Sequence, residues 1–398
     1  MDLDAFLALL TPLGQKALAE ASELAGADPV AAATRLRRTY DASLTSAALT
    51  QAGLRARAKV KFGADAELMY FTPHGLEQST HADVAAHRAA RLTGSLRVVD
   101  VCCGVGGDFL ALARAGHTID AVDLDPLTAA VAAANADALG LSSRVTVRTG
   151  DAADVDPSGH DVLFADPARR TSRGRTFDPQ SYSPPWPVVL GLLERSRAAC
   201  LKVAPGLPYE FIPEDAEAEW VSHRGEVKEA ALWTGALARR TAQRTSDEHP
   251  WRRATLLPGG HTLTPTGATA AVGPMARYVY EPDGAAIRAH LVAEVADLVQ
   301  GHLADPMIAY ITSDAAVGTP WAARYEVHET LPFSLKRLRS TLRTRQIGNV
   351  TIKKRGSAVD IERLRSDLRL SGDKSAVVIL TRIMDKPFAL LCSPCPPA

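Results

Sequence analysis

Three carboxylate side chains each follow a predicted strand, and glycines follow the first of them. Asp100 lies at the end of LRVVDV, Asp123 at the end of HTIDAVD, and Asp151 directly after RVTVRTG. Gly104 and Gly106 occupy the turn after Asp100. Glycines let a backbone approach a ligand closely, and carboxylates accept hydrogen bonds from hydroxyl and amino groups. Asp123 could therefore bind both ribose hydroxyls of a nucleoside, and Asp151 its adenine amino group.

The spacing of the glycines separates two kinds of nucleoside site. The turn reads G-x-G-G rather than the G-x-G-x-x-G of dinucleotide-binding domains. This spacing disfavours a pyrophosphate on the helix N-terminus and favours a turn that packs against the methionine part of S-adenosylmethionine. We therefore predict S-adenosyl-L-methionine as the cofactor. Asp125, two residues after Asp123, is either a second candidate for the ribose or the cap of the next helix.

A fourth predicted strand, HDVLFADP, ends at the residues that could act on a substrate. Asp166 can accept an amino proton and orient a nitrogen nucleophile, and Pro167 follows it. Arg169 could stack on a base or pair with a phosphate, and Arg170 could add a substrate contact. The alternative for both arginines is a structural ion pair. We predict Asp166, Pro167 and Arg169 as catalytic and Arg170 as substrate-binding.

Alternating strands and helices position these residues. From about residue 96 the pattern is strand, Gly-rich turn, helix, strand, and it ends in a strand pair around Gly225. This alternation predicts an α/β fold with a Rossmann-like, seven-stranded sheet whose last strand is antiparallel. We predict a helical region at 1–70, this domain at 71–246, a Pro-, Gly- and Thr-rich linker at 247–277 and an α+β domain at 278–398.

Charge is unevenly distributed along the chain. The 45 basic residues balance the 45 acidic ones, but 321–386 carries 15 Lys and Arg against 7 Asp and Glu. A predicted helix, LKRLRSTLRTRQIG, holds five of these cations, and Lys353, Lys354 and Arg355 close a predicted strand. Such residues could contact the phosphates of RNA. A solvated basic surface is the alternative.

Cysteine use and the N-terminal residues predict the compartment. The five cysteines are few and odd in number, which indicates a reducing environment without a disulfide framework. The first residues, MDLDAFLALLTPLG, carry acids where a signal peptide carries positive charge, and no apolar run is long enough for a membrane span. We predict a cytoplasmic protein that does not bind membranes. No His, Cys and Asp cluster has metal-ligand spacing, so we predict no metal.

The stretch from Tyr70 to Asp154 resembles the class I methyltransferases, and within them the trimethylguanosine synthase-like group. The matching motifs are YFTPHGLEQSTHADVA with Thr72 and Pro73, then DVCCGVGGD, AVDLDP and Asn135. The resemblance implies that the first of these motifs, which we term the lead-in segment (residues 70–85), folds over the cofactor. To the same cofactor site we assign Thr72, Pro73, Cys102, Asp108 and Ala152.

The C-terminal part resembles the THUMP-like domain that some bacterial methyltransferases carry. The motifs are YVYEPD and VTIKKRG. THUMP domains proper bind RNA. This resemblance therefore implies that the partner is an RNA, either tRNA or rRNA.

One motif departs from the amino-directed methyltransferases, which carry [DNS]-P-P-[YFW] after the fourth strand. Here Asp166 and Pro167 match, but the second proline and the aromatic residue are absent. Ser183-Pro184-Pro185-Trp186 has the missing pattern about seventeen residues later, most simply as the start of the next helix. Tyr182 and Trp186 could still line the pocket. A covalent, carbon-directed reaction needs a nucleophilic cysteine just after the fifth strand. Cys200 lies within that strand and LKVAPGLPY has no cysteine, so we exclude this chemistry.

These observations predict an RNA methyltransferase that acts on a base nitrogen. Two alternatives remain open: a small-molecule or protein methyltransferase on the same fold, and a non-catalytic RNA-binding protein with a relic cofactor site.

Overall fold

The structure is a computed structural model that describes residues 1–169, 182–238 and 251–396. The chain forms two compact units. The first contains Met1–Glu217 and Ala230–Ala242, and the second contains Ala218–Glu229 and Gln243–Ala398. No helix in the described ranges is both long and apolar enough to span a bilayer.

The first unit begins with the predicted helices, which are followed by two helices in the lead-in segment and the residues just after it. Their bounds are α1 (Leu3–Leu10), α2 (Pro12–Glu23), α3 (Pro29–Leu36), α4 (Ala42–Phe62), α5 (Pro73–Gln78) and α6 (Ala82–Ala89). Helix α4 begins where the Asp41 side chain accepts a bond from the amide of Leu44, and it ends at Gly63, whose φ is +58°. Phe6 and Phe71 share one apolar core with side chains of the sheet that follows.

Strands and helices then alternate. The elements are β1 (Arg97–Val101), α7 (Phe109–Arg114), β2 (Thr118–Asp123), α8 (Pro126–Ala138), β3 (Val145–Thr149), β4 (Val162–Ala165), β5 (Ala168–Arg169), β6 (Tyr182–Ser183), α9 (Trp186–Arg195), β7 (Ala198–Val203), β8 (Glu217–His223) and β9 (Glu226–Gly235). β1 pairs in parallel with β2 and β4, β2 with β3, and β4 with β7, whereas β9 is antiparallel to β7.

Counting β8, the neighbour of β9, the strand order is β3-β2-β1-β4-β7-β9-β8. These seven strands of a nine-stranded sheet confirm the predicted Rossmann-like α/β fold with an antiparallel last strand. Because parallel strands present their carboxyl ends at one edge of a sheet, the residues after β1, β2, β3 and β4 meet there.

Two further strands lie inside the segment predicted as a linker. They are β10 (Trp251–Leu257) and β11 (His261–Leu263), and they extend the order as β11-β10-β8. The Pro and Gly residues on which the linker prediction rested favour turns, and they lie mostly outside the two strands.

The second unit contains a separate seven-stranded sheet. Its elements are β12 (Tyr278–Pro282), α10 (Gly284–Arg288), α11 (Val292–Leu298), β13 (His302–Leu303), β14 (Ile311–Ser313), β15 (Ala322–Pro332), α12 (Leu335–Thr344), β16 (Ile347–Lys354), α13 (Ile361–Leu368), β17 (Lys374–Ile383) and β18 (Lys386–Pro394). The order is β13-β14-β12-β15-β18-β17-β16, and β16 and β17 pair in parallel. Leu338, Leu342, Leu364 and Leu368 pack α12 and α13 onto this sheet.

Candidate functional site

The Gly-rich turn after β1 is held beside the end of β2. The Asp123 carboxylate accepts bonds from the amides of Gly104 and Asp125, at 2.9 and 3.1 Å. The turn has Gly104 at φ +57° and Gly106 at φ +97°, a region that glycine reaches without a steric penalty. Cys102 lies in the same region at φ +63° although it carries a side chain. The turn is thus strained at Cys102 and anchored by Asp123.

Asp100, in β1, carries the most unusual carboxylate of the site. The residue is fully buried, and neither carboxylate oxygen has a hydrogen-bond partner within the described part of the chain. Burial, together with the negative charges of Asp108, Asp166 and Asp123, raises the pKa of Asp100 well above its ordinary value. A buried acid without a donor is costly, so this position is suited to a ligand that brings its own donors.

Asp151 and Asp125, two further predicted cofactor acceptors, differ in how many of their oxygens are engaged. Asp151 is exposed and accepts a bond from the amide of Ala153 at 2.9 Å, so that its second oxygen remains for a ligand, and Ala152 beside it is buried. Asp125 caps α8, accepting bonds from the amide and the hydroxyl of Thr128 at 3.0 and 2.6 Å. Of the two interpretations of Asp125, the structure favours the helix cap.

A buried chain of polar side chains leads from Asp108 to Asp166. Arg88 forms an ion pair with Asp108, whose second oxygen accepts a bond from the Thr80 hydroxyl at 2.7 Å. Lys202, near the end of β7, donates to the Thr80 hydroxyl at 2.8 Å and to Asp166 Oδ2 at 2.5 Å. Although burial alone would raise it, Arg88 and Lys202 hold the pKa of Asp108 below its ordinary value. Asp108 therefore has a structural use in this network.

Asp166 follows β4, as predicted, and its side chain is 32% exposed. Its Oδ1 makes no hydrogen bond within the ranges that the structure describes, so this oxygen keeps its capacity to accept one. Burial raises the pKa of Asp166, and the Lys202 ammonium acts against that rise. Pro167 is buried behind it. The backbone of Arg169 forms β5, and Arg170 lies outside the described residues.

The late Ser-Pro-Pro-Trp motif begins in a short strand that pairs with the residues directly after Pro167. β5 and β6 pair in antiparallel register, with Ala168 opposite Ser183 and Arg169 opposite Tyr182. The rings of Tyr182 and Trp186 are only 4% and 6% exposed and contact each other edge to face at 5.7 Å. Both rings therefore act in the core of this structure, and neither presents an open face for stacking on a base.

The lead-in segment packs directly on the Gly-rich turn. Thr72 caps α5 through a 2.9 Å bond from the amide of Gly75, and Pro73 is the first residue of that helix. A Cβ on Gly75 would lie 2.5 Å from Val105 Cγ1, so the two segments are in close contact. Asn135 of α8 joins them, because its amide nitrogen donates to the carbonyl of Val105 and its amide oxygen accepts from the backbone nitrogen of Tyr70.

The predicted RNA-binding cations of the second unit are already engaged. Lys353 Nζ donates to Glu281 Oε2 at 2.6 Å, and Arg355 lies 4.0 Å from the same carboxylate. Lys354 donates to the carbonyl of Val359 at 2.9 Å. Although burial opposes it, the bond to Glu281 raises the pKa of Lys353, so this side chain stays charged.

Family models match three parts of the chain. Residues 95–189 match an RNA cap guanine-N2 methyltransferase model, residues 322–394 a THUMP domain-like model, and residues 2–58 a domain of unknown function.

A relative that matches most of the chain gives the same assignment. An uncharacterized S-adenosylmethionine-dependent methyltransferase of Mycobacterium tuberculosis is 35% identical over 319 residues, which cover 79% of this chain and 84% of the relative. The chain belongs to the S-adenosylmethionine-dependent methyltransferases. The crystal structure of a putative methyltransferase from Porphyromonas gingivalis W83 has the same fold, with a TM-score of 0.77 over 96% of this chain and 99% of that chain, at 21% identity.

The site of this methyltransferase fits the cofactor. S-adenosylmethionine carries an ammonium group, two ribose hydroxyls and an adenine amino group, which are donors. The unpartnered oxygens of Asp100, the end of β2 at Asp123 and the exposed Asp151 offer acceptors along one edge of the sheet. A Cβ on Gly104 would have no neighbour within 4 Å, so the turn is open at that residue.

Sequence reasoning missed the cations of the methyltransferase site. Lys202 lies near the end of β7, far in sequence from the motifs, and Arg88 lies on α6, three residues after the lead-in segment. A lysine at the end of the fifth strand was the available signal, since that edge is where parallel sheets place functional groups.

The strain at Cys102 makes a testable prediction. Replacing Cys102 with glycine is expected to raise the free energy of unfolding of the cofactor-free methyltransferase by about 0.5–1 kcal/mol, because glycine adopts positive φ without a Cβ clash. Replacing it with valine, which is branched at Cβ, is expected to lower stability. Urea unfolding of the three proteins measures both changes, and equal midpoints for Cys102→Gly and wild type would contradict the prediction.

Proposed function

We propose that this methyltransferase transfers a methyl group to a nitrogen of a base in RNA, with Asp166 as the group that holds the nitrogen. The observation that carries the proposal is the Asp166 carboxylate: Lys202 donates to its Oδ2 at 2.5 Å, Oδ1 has no partner among the described residues, and the side chain is 32% exposed. One oxygen is thus fixed by the protein, and the other is available to a substrate.

An N–H group of a base would donate to Asp166 Oδ1. When bound, the cofactor supplies an electrophilic methyl group. The carboxylate aligns the nitrogen lone pair with that group and accepts the proton that the nitrogen loses. Lys202 restrains the carboxylate, so that little reorganisation is needed when the base arrives. Lys202 is therefore proposed as a positioning residue for Asp166.

Two family likenesses support RNA as the substrate. The model that matches residues 95–189 describes methyltransferases of the RNA cap guanine N2 nitrogen, and the model over 322–394 is THUMP domain-like. Helix α12 adds a basic surface, on which Lys336 and Arg337 are exposed and make no hydrogen bond or ion pair within the described ranges. Arg339 and Arg343 of the same helix donate to the carbonyls of Asp367 and Arg369.

Of the cations predicted to contact RNA, we therefore keep those at the start of α12 and leave out those at the end of β16. The double variant Lys336→Ala, Arg337→Ala is expected to weaken RNA binding about tenfold at low salt and to reduce the salt slope by about 1 for each phosphate that is no longer neutralised. Lys353→Met is expected to leave the slope unchanged, because Glu281 already neutralises Lys353. RNA titrations at several salt concentrations measure both. If Lys353→Met weakened RNA binding more than the double variant, the RNA-binding surface would lie at the end of β16.

Radiolabelled S-adenosylmethionine and total RNA from a strain without the protein test the proposed function. Labelled RNA that appears with the wild-type protein supports the proposal, and digestion to nucleosides then identifies the base. Tight binding of S-adenosylhomocysteine without any labelled RNA would refute RNA as substrate. Labelling of the protein or small-molecule fraction of the same extract would then identify the other substrate class.

A further inference from the structure

The N-terminal helical region matches a domain of unknown function, and its longest helix, α4, faces the lead-in segment. Three side chains of α4 direct their polar atoms at backbone groups in or next to that segment. Backbone groups outside regular structure need such partners when they are buried. Helix α4 thereby supplies bonds that the lead-in segment cannot make for itself.

Gln51 and Arg55 hold the start of the lead-in segment. The Gln51 side chain is fully buried and forms a reciprocal pair with Phe71: its nitrogen donates to the carbonyl at 2.6 Å, and its oxygen accepts from the amide at 3.0 Å. One turn later, Arg55 donates to the carbonyls of Met69 and Leu68 at 2.8 and 3.0 Å. The chain is thus held at the point where it enters the segment.

Lys61 binds a later part of the lead-in segment, at the end of α5. Its ammonium donates to the carbonyls of Leu76, Glu77 and Ser79, at 2.8, 2.8 and 2.7 Å. These carbonyls lie at the C-terminus of α5, where a helix has unsatisfied acceptors and a partial negative charge. A cation there satisfies several acceptors at once, and its hydrogen bonds are stronger than neutral ones.

Between these two ends the lead-in segment contacts the residues of the site. Gly75 lies against Val105 of the Gly-rich turn, and Asn135 bonds to both Tyr70 and Val105. At its far end the Thr80 hydroxyl accepts from Lys202, the partner of Asp166. The backbone that α4 fixes is therefore the backbone that lies on the turn where the cofactor belongs.

We propose that α4 of the N-terminal region is a clamp that holds the lead-in segment closed on the cofactor, with Lys61 as its principal positioning residue. The region then determines how tightly the cofactor binds, beyond any contribution to the stability of the fold. Lys61 donates to backbone carbonyls at the end of α5, so its proposed effect on the cofactor acts through that helix.

The test compares Lys61→Met with Lys59→Met in the full chain. Lys59 lies on the same helix, but its ammonium pairs with the exposed side chain of Glu67. Calorimetric titration with S-adenosylhomocysteine is expected to give a Kd about tenfold or more above wild type for Lys61→Met. Lys59→Met is expected to bind like wild type. Lys61→Arg, which keeps the charge and several donors, is expected to recover part of the affinity.

Hydrogen exchange distinguishes a helix that holds the lead-in segment in place from one that only stabilises the fold. In Lys61→Met, amides within 72–79 are expected to exchange faster than in wild type, while those of β1 and β2 keep their protection. An unchanged Kd would overturn the proposal, even if the melting temperature fell, because α4 would then only support the fold. If Lys61→Met does not fold, Arg55→Met provides the same measurement with the same two outcomes.

Discussion

Replacing Asp166 with alanine is expected to lower the kcat of methyl transfer to RNA by about 10²–10⁴-fold, the usual contribution of a positioned proton acceptor. The variant loses the oxygen proposed to hold the base nitrogen and leaves Lys202 without its 2.5 Å partner. The proposed cofactor acceptors, Asp100, Asp123 and Asp151, remain, so the Kd for S-adenosylhomocysteine is expected to stay near the wild-type value. Single-turnover labelling of RNA measures the chemical step, and calorimetry measures the Kd.

Two further variants sharpen this prediction. Asp166→Asn keeps an acceptor oxygen but not the charge, so it is expected to retain more activity than Asp166→Ala. Asp215→Ala removes an exposed acid of the same unit that lies in none of the proposed contacts, and it is expected to behave like wild type. Full activity of Asp166→Ala would exclude Asp166 as the group that holds the nitrogen.

Replacing Asp100 with asparagine is expected to change two properties in opposite directions. Affinity for S-adenosylhomocysteine should fall by about 10²-fold, because a buried charged acceptor for the cofactor is lost. The cofactor-free protein should become more stable by about 1–3 kcal/mol, because a buried carboxylate without a partner is replaced by a neutral group. The carboxylate is thus retained for binding at a cost to the fold.

The direction of the Asp100 pKa shift gives the pH dependence of this stability change. The pKa of Asp100 in the folded protein lies above its ordinary value of 3.8, so the folded state binds the proton more tightly than the unfolded state. The destabilising effect is therefore absent below the unfolded pKa and grows as the pH rises towards the folded pKa. The stability difference between Asp100→Asn and wild type is expected to be small near pH 4 and larger near pH 8. Denaturant unfolding at both pH values measures it, and a difference that shrinks with rising pH would contradict the assignment.

The sequence predicted those parts of the site that depend on strand order. Asp100 and Asp123 lie in the last residues of their strands, and Asp151 and Asp166 follow theirs. Parallel pairing brings these strand ends together whatever the side chains around them. The alternation of strands and helices likewise predicted the sheet and its antiparallel last strand, because hydrophobic periodicity reports burial directly.

The partners of these residues could not be predicted in the same way. Thr80, Arg88 and Lys202 reach Asp108 and Asp166 only because three separate elements pack together. Similarly, Lys353 was expected to be a free cation, but it meets Glu281 from a distant part of the chain. Such pairs depend on tertiary contacts, which a local pattern does not contain.

The path of the chain through its two compact units limits how the protein can be divided. The chain leaves the first unit after Glu217, contributes Ala218–Glu229 to the second, returns with Ala230–Ala242 and then leaves again. The first unit is therefore discontinuous in sequence, and truncation before the C-terminal domain at residue 278 cuts through the second unit instead of between the two. During synthesis on the ribosome, the methyltransferase sheet cannot be completed until β9 has emerged, well after the segment that contains Asp166. Domain-swap and split-protein designs should respect this interleaving.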